Sequence, residues 1–147
     1  MTNQIGTADL TFFGLKIYTA TLYAERNFDP AHYAQTPLEL SIHYKRPLEG
    51  KLIAERSLLE MKRIGRIDRL QSAAWLDLMI RAFPNIAAGD ILSGRTDGKG
   101  AVEFRHNDTL TAQTQDTDFA SRFLGIWLHE ATSAPEMRAQ LLGISKG

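Results

Sequence analysis

The chain has no cysteine, no excess of either charge and no long apolar run, and each absence excludes a class of function. Without cysteine, its 147 residues can form neither a disulfide frame nor a thiolate site. Lys plus Arg total 17 and Asp plus Glu total 17, so no net field attracts nucleic acid. The longest apolar stretch, residues 73–83, is interrupted by Asp77 and Arg81. We therefore predict no nucleic-acid partner and no membrane span.

Length and composition are those of one globular domain. The hydrophobic fraction is 44% and the charged fraction 23%, as in ordinary folded proteins. No internal repeat, low-complexity segment or Pro- or Ser-rich linker divides the chain. We predict a single domain over residues 1–147.

Strands are predicted where aromatic and β-branched residues cluster. Residues 9–23 contain one break at Gly14, which we interpret as a bulge, either between two strands or within one bent strand. Residues 38–45 alternate apolar even positions with polar odd positions, the period of a half-buried strand. Turn signals separate three more short strands, a predicted β-meander near residues 91–95, 101–106 and 110–114.

Helices are predicted where the apolar period lengthens. They cover residues 50–65, a segment from Asp68 to Pro84, residues 118–129 and a last short segment that ends at Gly143. Asp68 with Gln71, and Ser133 with Glu136, have the spacing of capping boxes. The order β-β-β, α-α, β-β-β, α-α predicts an α+β fold, in which helices gather on one face of an antiparallel sheet.

Motifs for metal, nucleotide or nucleophilic chemistry are absent. The four histidines never lie two or four residues apart, so neither a metal nor a cofactor is predicted. No nucleophile elbow, Walker loop or dinucleotide fingerprint follows a strand. A basic run has acidic neighbours and is interpreted as a solvated surface; it consists of Lys62, Arg63, Arg66 and Arg69.

Aromatic and methionine side chains are numerous and allow two interpretations. Most such residues pack in a core, but an apolar cleft between sheet and helices could instead hold a flat or long ligand. The residues concerned are Phe12, Phe13, Tyr18, Met61, Trp75, Met79, Phe123 and Trp127.

Several spaced segments, taken in order, resemble the bacterial chalcone isomerase-like proteins. They are FGLKIY at 13–18, LYA at 22–24, IAERSLLEM at 53–61, FLGIWL at 123–128 and TSAP at 132–135, with Phe83-Pro84 and Gly89-Asp90 between them. The resemblance implies an open-faced β-sandwich, a large curved antiparallel sheet covered on one face by helices, with a ligand cleft between the two layers.

The resemblance also bears on catalysis. The plant enzymes close a flavanone ring and use an N-terminal arginine to hold the phenolate and the developing enolate. That arginine position falls near Gly6, and the polarising threonine near Tyr18 and Thr19. The tyrosine, lysine and asparagine of the plant site fall near Ile53, Arg56 and Glu60. Because only the cation is retained, chalcone isomerisation is not expected.

A binding function is therefore favoured. The non-catalytic plant relatives resemble fatty-acid carriers, in which an arginine near the pocket pairs with a carboxylate. We predict a small apolar or carboxylate ligand, fatty-acid-like, contacted by Tyr18, Ile53, Arg56 and Glu60. The alternative for Arg56 is an ion pair with Glu60 one helical turn away.

Two other functions stay open, together with the location. One is an isomerase or lyase acting on an unknown substrate through Tyr18, Arg56 and Glu60; the other is a scaffold or partner-binding protein without a cleft. The resemblance implies a periplasmic protein. The first residues lack a secretory signal, and a cytoplasmic location is the alternative.

Overall fold

The fold is described from a computed structural model, in which residues 2–144 are described. Its helices and strands follow the predicted order, with one unpredicted 3₁₀ helix at Pro30–Gln35. The strands are β1 (Asn3–Phe12), β2 (Leu15–Ala24), β3 (Leu38–Tyr44), β4 (Ile91–Thr96), β5 (Val102–His106) and β6 (Thr109–Thr114). The helices are α1 (Gly50–Ile64), α2 (Arg69–Ala82), α3 (Thr117–Leu128) and α4 (Pro135–Leu141).

The six strands form one antiparallel sheet in the order β1-β2-β3-β4-β5-β6. In β3 the predicted alternation is confirmed, because the even positions are buried and the odd positions partly exposed. Polar residues meet across the ladder, with Ser41 opposite both Thr21 and Ser93, so that one face of the sheet is polar and open. Helices cover the other face. The predicted α+β fold, an open-faced β-sandwich with helices on one side, is confirmed.

The first two strands join in a tight hairpin, and the interpretation of Gly14 as a bulge is wrong. β1 begins at Asn3, ahead of the predicted start at residue 9. Phe13 and Gly14 form a two-residue turn with φ of 52° and 76°, the backbone of a type I′ turn. The register shift nearest the turn lies instead between Leu10 and Thr11. Gly14 therefore reverses the chain.

The helices cover the apolar face unevenly. Helix α2 packs on β5 and β6, α4 packs on β1 and β2, and α1 packs mainly on α2 and α3. Phe104, Phe119 and Phe123 are buried at the centre of the core, with ring centroids 5.1 to 6.2 Å apart. Burying each ring contributes about 1.5–3 kcal/mol. Within residues 2–144, no helix is both long and apolar enough to cross a bilayer.

Aspartates fix the starts of two helices. The predicted capping box is confirmed at α2, where the Gln71 N–H donates to Asp68 Oδ1 at 2.8 Å. Asp116 caps α3 with one carboxylate oxygen, and its other oxygen accepts from Trp75 Nε1–H at 2.9 Å. A single carboxylate thus joins the start of α3 to α2.

The last helix begins without its predicted cap. α4 follows Ala134, and no side chain caps it. The Ser133–Glu136 capping box is wrong, because the Ser133 hydroxyl donates to Glu60 of α1 at 2.7 Å. Pro135 at the first helical position has no N–H to satisfy, so the missing cap costs the helix little stability.

Asp90 ties together the turns around the meander. Its carboxylate contacts His106 Nε2 at 2.9 Å, accepts from the Ala87 N–H at 2.9 Å and accepts from the Asn107 side-chain amide at 3.1 Å. These three contacts, led by the one to His106, lower the pKa of Asp90 from 3.8 to about 2.

We expect the ionised Asp90 carboxylate to stabilise the fold above pH 4 and to lose that effect as the pH falls toward 2. The sign follows from its pKa, which is lower in the folded than in the unfolded chain. Asp90→Asn should therefore lower the melting temperature at neutral pH, and the difference from the parent should shrink in acid. Asp77→Asn, which removes an exposed carboxylate on α2, is the control. A difference independent of pH would contradict this account.

Candidate functional site

A cavity of about 370 Å³ lies between α1, α3 and the middle of the sheet. Most of the side chains around it are apolar. From the sheet they include Leu40, Ile42, Tyr44, Leu92 and Phe104, and from the helices Leu52, Ile53, Phe123, Ile126, Trp127 and Met137. Exposed Leu52 and Arg56 mark the side of α1 on which the cavity opens to solvent.

A glycine leaves part of the sheet bare beneath the cavity. Gly94 lies in β4 between Leu40 of β3 and Phe104 of β5, on the face covered by helices. A Cβ at Gly94 would meet the rings of Phe104 and Phe123 at 3.6 to 3.8 Å, an ordinary contact distance. A larger side chain would extend into the cavity. The missing side chain therefore accounts for part of the volume.

Tyr18 brings a hydroxyl group to the cavity wall. Trp127 Nε1–H donates to the Tyr18 oxygen at 3.0 Å, and the Tyr18 and Tyr44 rings meet edge to face. Burial raises the pKa of Tyr18 above its ordinary value of 10; the hydrogen bond from Trp127 and the charge of Arg56 oppose this rise, and the charge of Glu60 adds to it. The hydroxyl is therefore neutral at physiological pH and keeps a proton to donate.

Charged residues of α1 stand at the open edge. The Glu60 carboxylate is 15% exposed and accepts from the Ser133 hydroxyl at 2.7 Å. Arg56 Nη2 lies 3.3 Å from one Glu60 oxygen and Arg63 Nε 3.7 Å from the other. Arg63 also donates to the Ala131 carbonyl oxygen. Two guanidinium groups against one carboxylate give this edge one surplus positive charge.

All four predicted ligand-contacting residues line the cavity, namely Tyr18, Ile53, Arg56 and Glu60. The alternative for Arg56, an ion pair with Glu60, is present as well. Sequence reasoning assigned Arg63 to a solvated basic run and missed its contact with Glu60, although it lies three residues after Glu60 on the same helix, a spacing at which side chains meet. It also missed Gly94, whose position inside a strand signals a missing side chain.

The eight aromatic and methionine candidates divide into three groups. Met61, Trp75 and Met79 are buried in the core, whereas Tyr18, Phe123 and Trp127 form cavity wall. Phe12 and Phe13 are neither, because both are exposed at the turn between β1 and β2. Core packing therefore accounts for three of the eight residues and cavity lining for three others.

The family profile described as "Chalcone isomerase-like" matches residues 5–143. The chain belongs to the chalcone isomerase-like family. An uncharacterised protein from Haemophilus influenzae is 31% identical over 143 residues, which span 97% of this chain and 68% of the relative. The crystal structure of a fatty-acid binding protein from Arabidopsis thaliana superposes with a TM-score of 0.71 at 10% identity, covering 96% of this chain and 86% of the plant chain. The plant structure thus shares the fold.

In this chalcone isomerase-like chain, α4 occupies the space beside Gly6, near which the arginine of the plant enzymes falls. A Cβ at Gly6 would lie 2.1 Å from the Gln140 carbonyl oxygen and 2.5 Å from that of Leu141. Both oxygens belong to backbone, which can yield only if α4 moves away from β1. An arginine at position 6 would therefore disrupt the packing of α4.

The polar groups of the cavity can donate hydrogen bonds and offer a positive charge. Tyr18 supplies a neutral donor, and Arg56 supplies charged donors at the edge. In the part of the chain that the structure describes, no three His, Asp or Glu side chains are grouped to hold a metal ion.

We expect Gly6→Ala to lower the free energy of unfolding by about 1–3 kcal/mol, because its methyl group collides with the backbone of α4. Gly65→Ala is the matched control. Its Cβ would meet only the end of the Arg122 side chain, at 3.0 Å, and that end can rotate away. Urea denaturation of both variants measures the difference. Equal losses would show that α4 does not press on Gly6.

Proposed function

We propose that this chain binds a small apolar or carboxylate-bearing molecule, such as a fatty acid, between its sheet and helices, without catalysing a reaction. The observation that carries the proposal is the cavity of about 370 Å³. Its volume falls in the range of small-molecule sites, about 300–1,000 Å³. A hydrocarbon chain that enters gains about 25 cal/mol for each Å² of apolar surface removed from water. Ile53 would contact this part of the ligand.

Arg56 is the residue that we propose for a ligand carboxylate. Its side chain is 75% exposed, and its ion pair with Glu60 is a single contact of 3.3 Å. Glu60 has two further partners in Ser133 and Arg63, so it stays satisfied when Arg56 turns to a ligand. Arg56 and Tyr18 both line the cavity, and we propose that one ligand carboxylate contacts both.

The likeness to the Arabidopsis fatty-acid binding protein supports the same class of ligand. At 10% identity the likeness is one of fold, and this fold creates the space between sheet and helices in which the cavity lies. The proposal therefore depends chiefly on the cavity itself, and the plant protein supplies the ligand class to test first.

The other two functions have less support. An isomerase or lyase using Tyr18 as a general base would need its phenolate, and burial raises the pKa of Tyr18. Arg56 and Glu60 partly neutralise each other, which weakens both as catalytic groups. A scaffold with a filled core does not agree with an open cavity.

The proposal includes one domain over residues 1–147 and a periplasmic location. The family match over residues 5–143 and the single six-stranded sheet support one domain. The periplasmic location depends on the family resemblance alone, with the cytoplasm as the alternative. Fractionation of the native host, followed by immunodetection, would distinguish the two compartments.

We expect dodecanoic acid to bind the parent protein and Gly94→Val to weaken that binding at least about tenfold. Valine places branched carbon atoms in the cavity, and its β-branched side chain suits a strand, so the fold should remain intact. Calorimetric titration measures affinity, and thermal unfolding checks the fold. The proposal fails if the parent does not bind dodecanoic acid, or if a folded Gly94→Val variant binds it equally well.

We expect Arg56→Gln to weaken dodecanoic acid binding about fivefold to tenfold while leaving dodecanol binding unchanged, since the alcohol has no charge to pair. Arg81→Gln is the matched control, because Arg81 makes an equivalent pair with Asp77 on α2, away from the cavity. Glu60→Gln should strengthen binding of the acid by removing a like charge. If the acid binds Arg56→Gln normally, the ligand is held by apolar contacts alone.

A further inference from the structure

The turn between β1 and β2 exposes three large apolar side chains within four residues. We call Phe12, Phe13, Gly14 and Leu15 the hairpin tip. Phe12 is 63% exposed, Phe13 is 89% exposed and Leu15 is 49% exposed. The two phenyl rings contact each other at a tilt of 60°, with centroids 4.3 Å apart, and so form one apolar knob. Such a cluster in water marks a surface that contacts something else.

Turn chemistry does not explain the phenylalanine at position 13. Its φ is 52°, in the left-handed region, where a bulky side chain is strained and asparagine is preferred. The next residue, Gly14 with φ of 76°, is the glycine that a type I′ turn normally takes. The chain thus carries a large ring where Asn-Gly would make a better turn. Folding alone gives no reason for this ring.

The hairpin tip continues into the cavity wall. Leu10 and Ile17 line the cavity and lie two residues from Phe12 and Leu15 along the same strands. Exposed Leu52 of α1 lines the cavity as well. An apolar path therefore runs from the tip to the opening.

The charges around the hairpin are mostly positive. Lys16 follows the tip and pairs with Asp9 at 3.2 Å. The segment after β3 is hydrogen-bonded to the hairpin, since the Lys45 N–H donates to the Ile17 carbonyl oxygen at 2.9 Å, and Arg46 follows it. Residues 9–18 and 43–51 together hold four basic and two acidic side chains. This distribution favours an anionic surface beside the tip, although the whole chain is neutral.

We propose that the hairpin tip inserts into the surface of a phospholipid bilayer that carries anionic headgroups, and that the adjoining basic residues hold it there. The apolar knob enters the boundary of the acyl chains, and Lys16, Lys45 and Arg46 remain among the headgroups. The cavity opening is then brought close to the lipid. Docking needs no ligand in the cavity, so it can be tested apart from the proposed ligand binding.

The test is sedimentation with vesicles of phosphatidylcholine alone or mixed with phosphatidylglycerol. We expect the parent to bind the mixed vesicles, more weakly as salt is raised, and to bind the neutral vesicles at least tenfold less. Phe12→Ser combined with Phe13→Asn should reduce binding at least tenfold. Because Asn-Gly suits a type I′ turn, this variant should fold at least as well as the parent.

Leu70→Asn is the matched control, since Leu70 is an 83% exposed apolar residue on α2. It should bind vesicles as the parent does. The proposal is overturned if the parent ignores anionic vesicles, or if Leu70→Asn loses as much binding as the hairpin variant. It is also overturned if the parent is a dimer in solution that the hairpin substitutions dissociate, because the tip would then contact a second copy of the chain.

Discussion

Helix α1 is held mainly by other helices, and the sheet beneath it carries a glycine at position 94, so the two layers do not close on each other. A dry void of 370 Å³ would cost about 9 kcal/mol at about 24 cal/mol per Å³, comparable to the whole stability of a domain. Such a space persists because it opens to solvent beside Leu52 and Arg56, where water or a ligand can enter. The unfilled space between the sheet and α1 is thus the constraint on which the surrounding polar contacts depend.

Those contacts frame the opening from three parts of the chain. Glu60 of α1 is fixed by Ser133, which lies between α3 and α4, and Arg63 of α1 reaches the Ala131 carbonyl oxygen in the same segment. On the sheet side, the hydroxyl of Tyr18 in β2 is held by Trp127 of α3. The Tyr18 hydroxyl and the Glu60 carboxylate are therefore already oriented and lose little side-chain entropy on binding, whereas the exposed Arg56 must turn to meet a ligand.

Sequence reasoning succeeded where a pattern is local. The alternation in β3 and the helical period of α1 depend on which side chains face the core, and they predicted both elements. The four ligand-contacting residues followed from the family resemblance, and all four line the cavity. Sequence reasoning failed where tertiary contacts compete with local chemistry. The Ser133 hydroxyl lies beside the start of α4 but donates to Glu60, which is distant in sequence. Gly14 lies in a turn, because β1 extends back to Asn3 and pairs with β2 along its whole length. Neither the Glu60 contact nor the full length of β1 can be read from a few neighbouring residues.

The cavity lies across the boundary between β3 and β4, the two central strands of the sheet. All neighbouring strands are consecutive in the chain, but β3 and β4 alone are separated by two helices, α1 and α2. Within each three-strand half the strands are joined by connections of at most about thirteen residues, whereas joining the halves requires closing a loop of more than forty residues, a slower step. Leu40 and Ile42 come from one half, and Leu92 and Gly94 from the other. The cavity is therefore complete only once this long-range pairing is made, and a chain whose two halves are still apart has no site for a ligand.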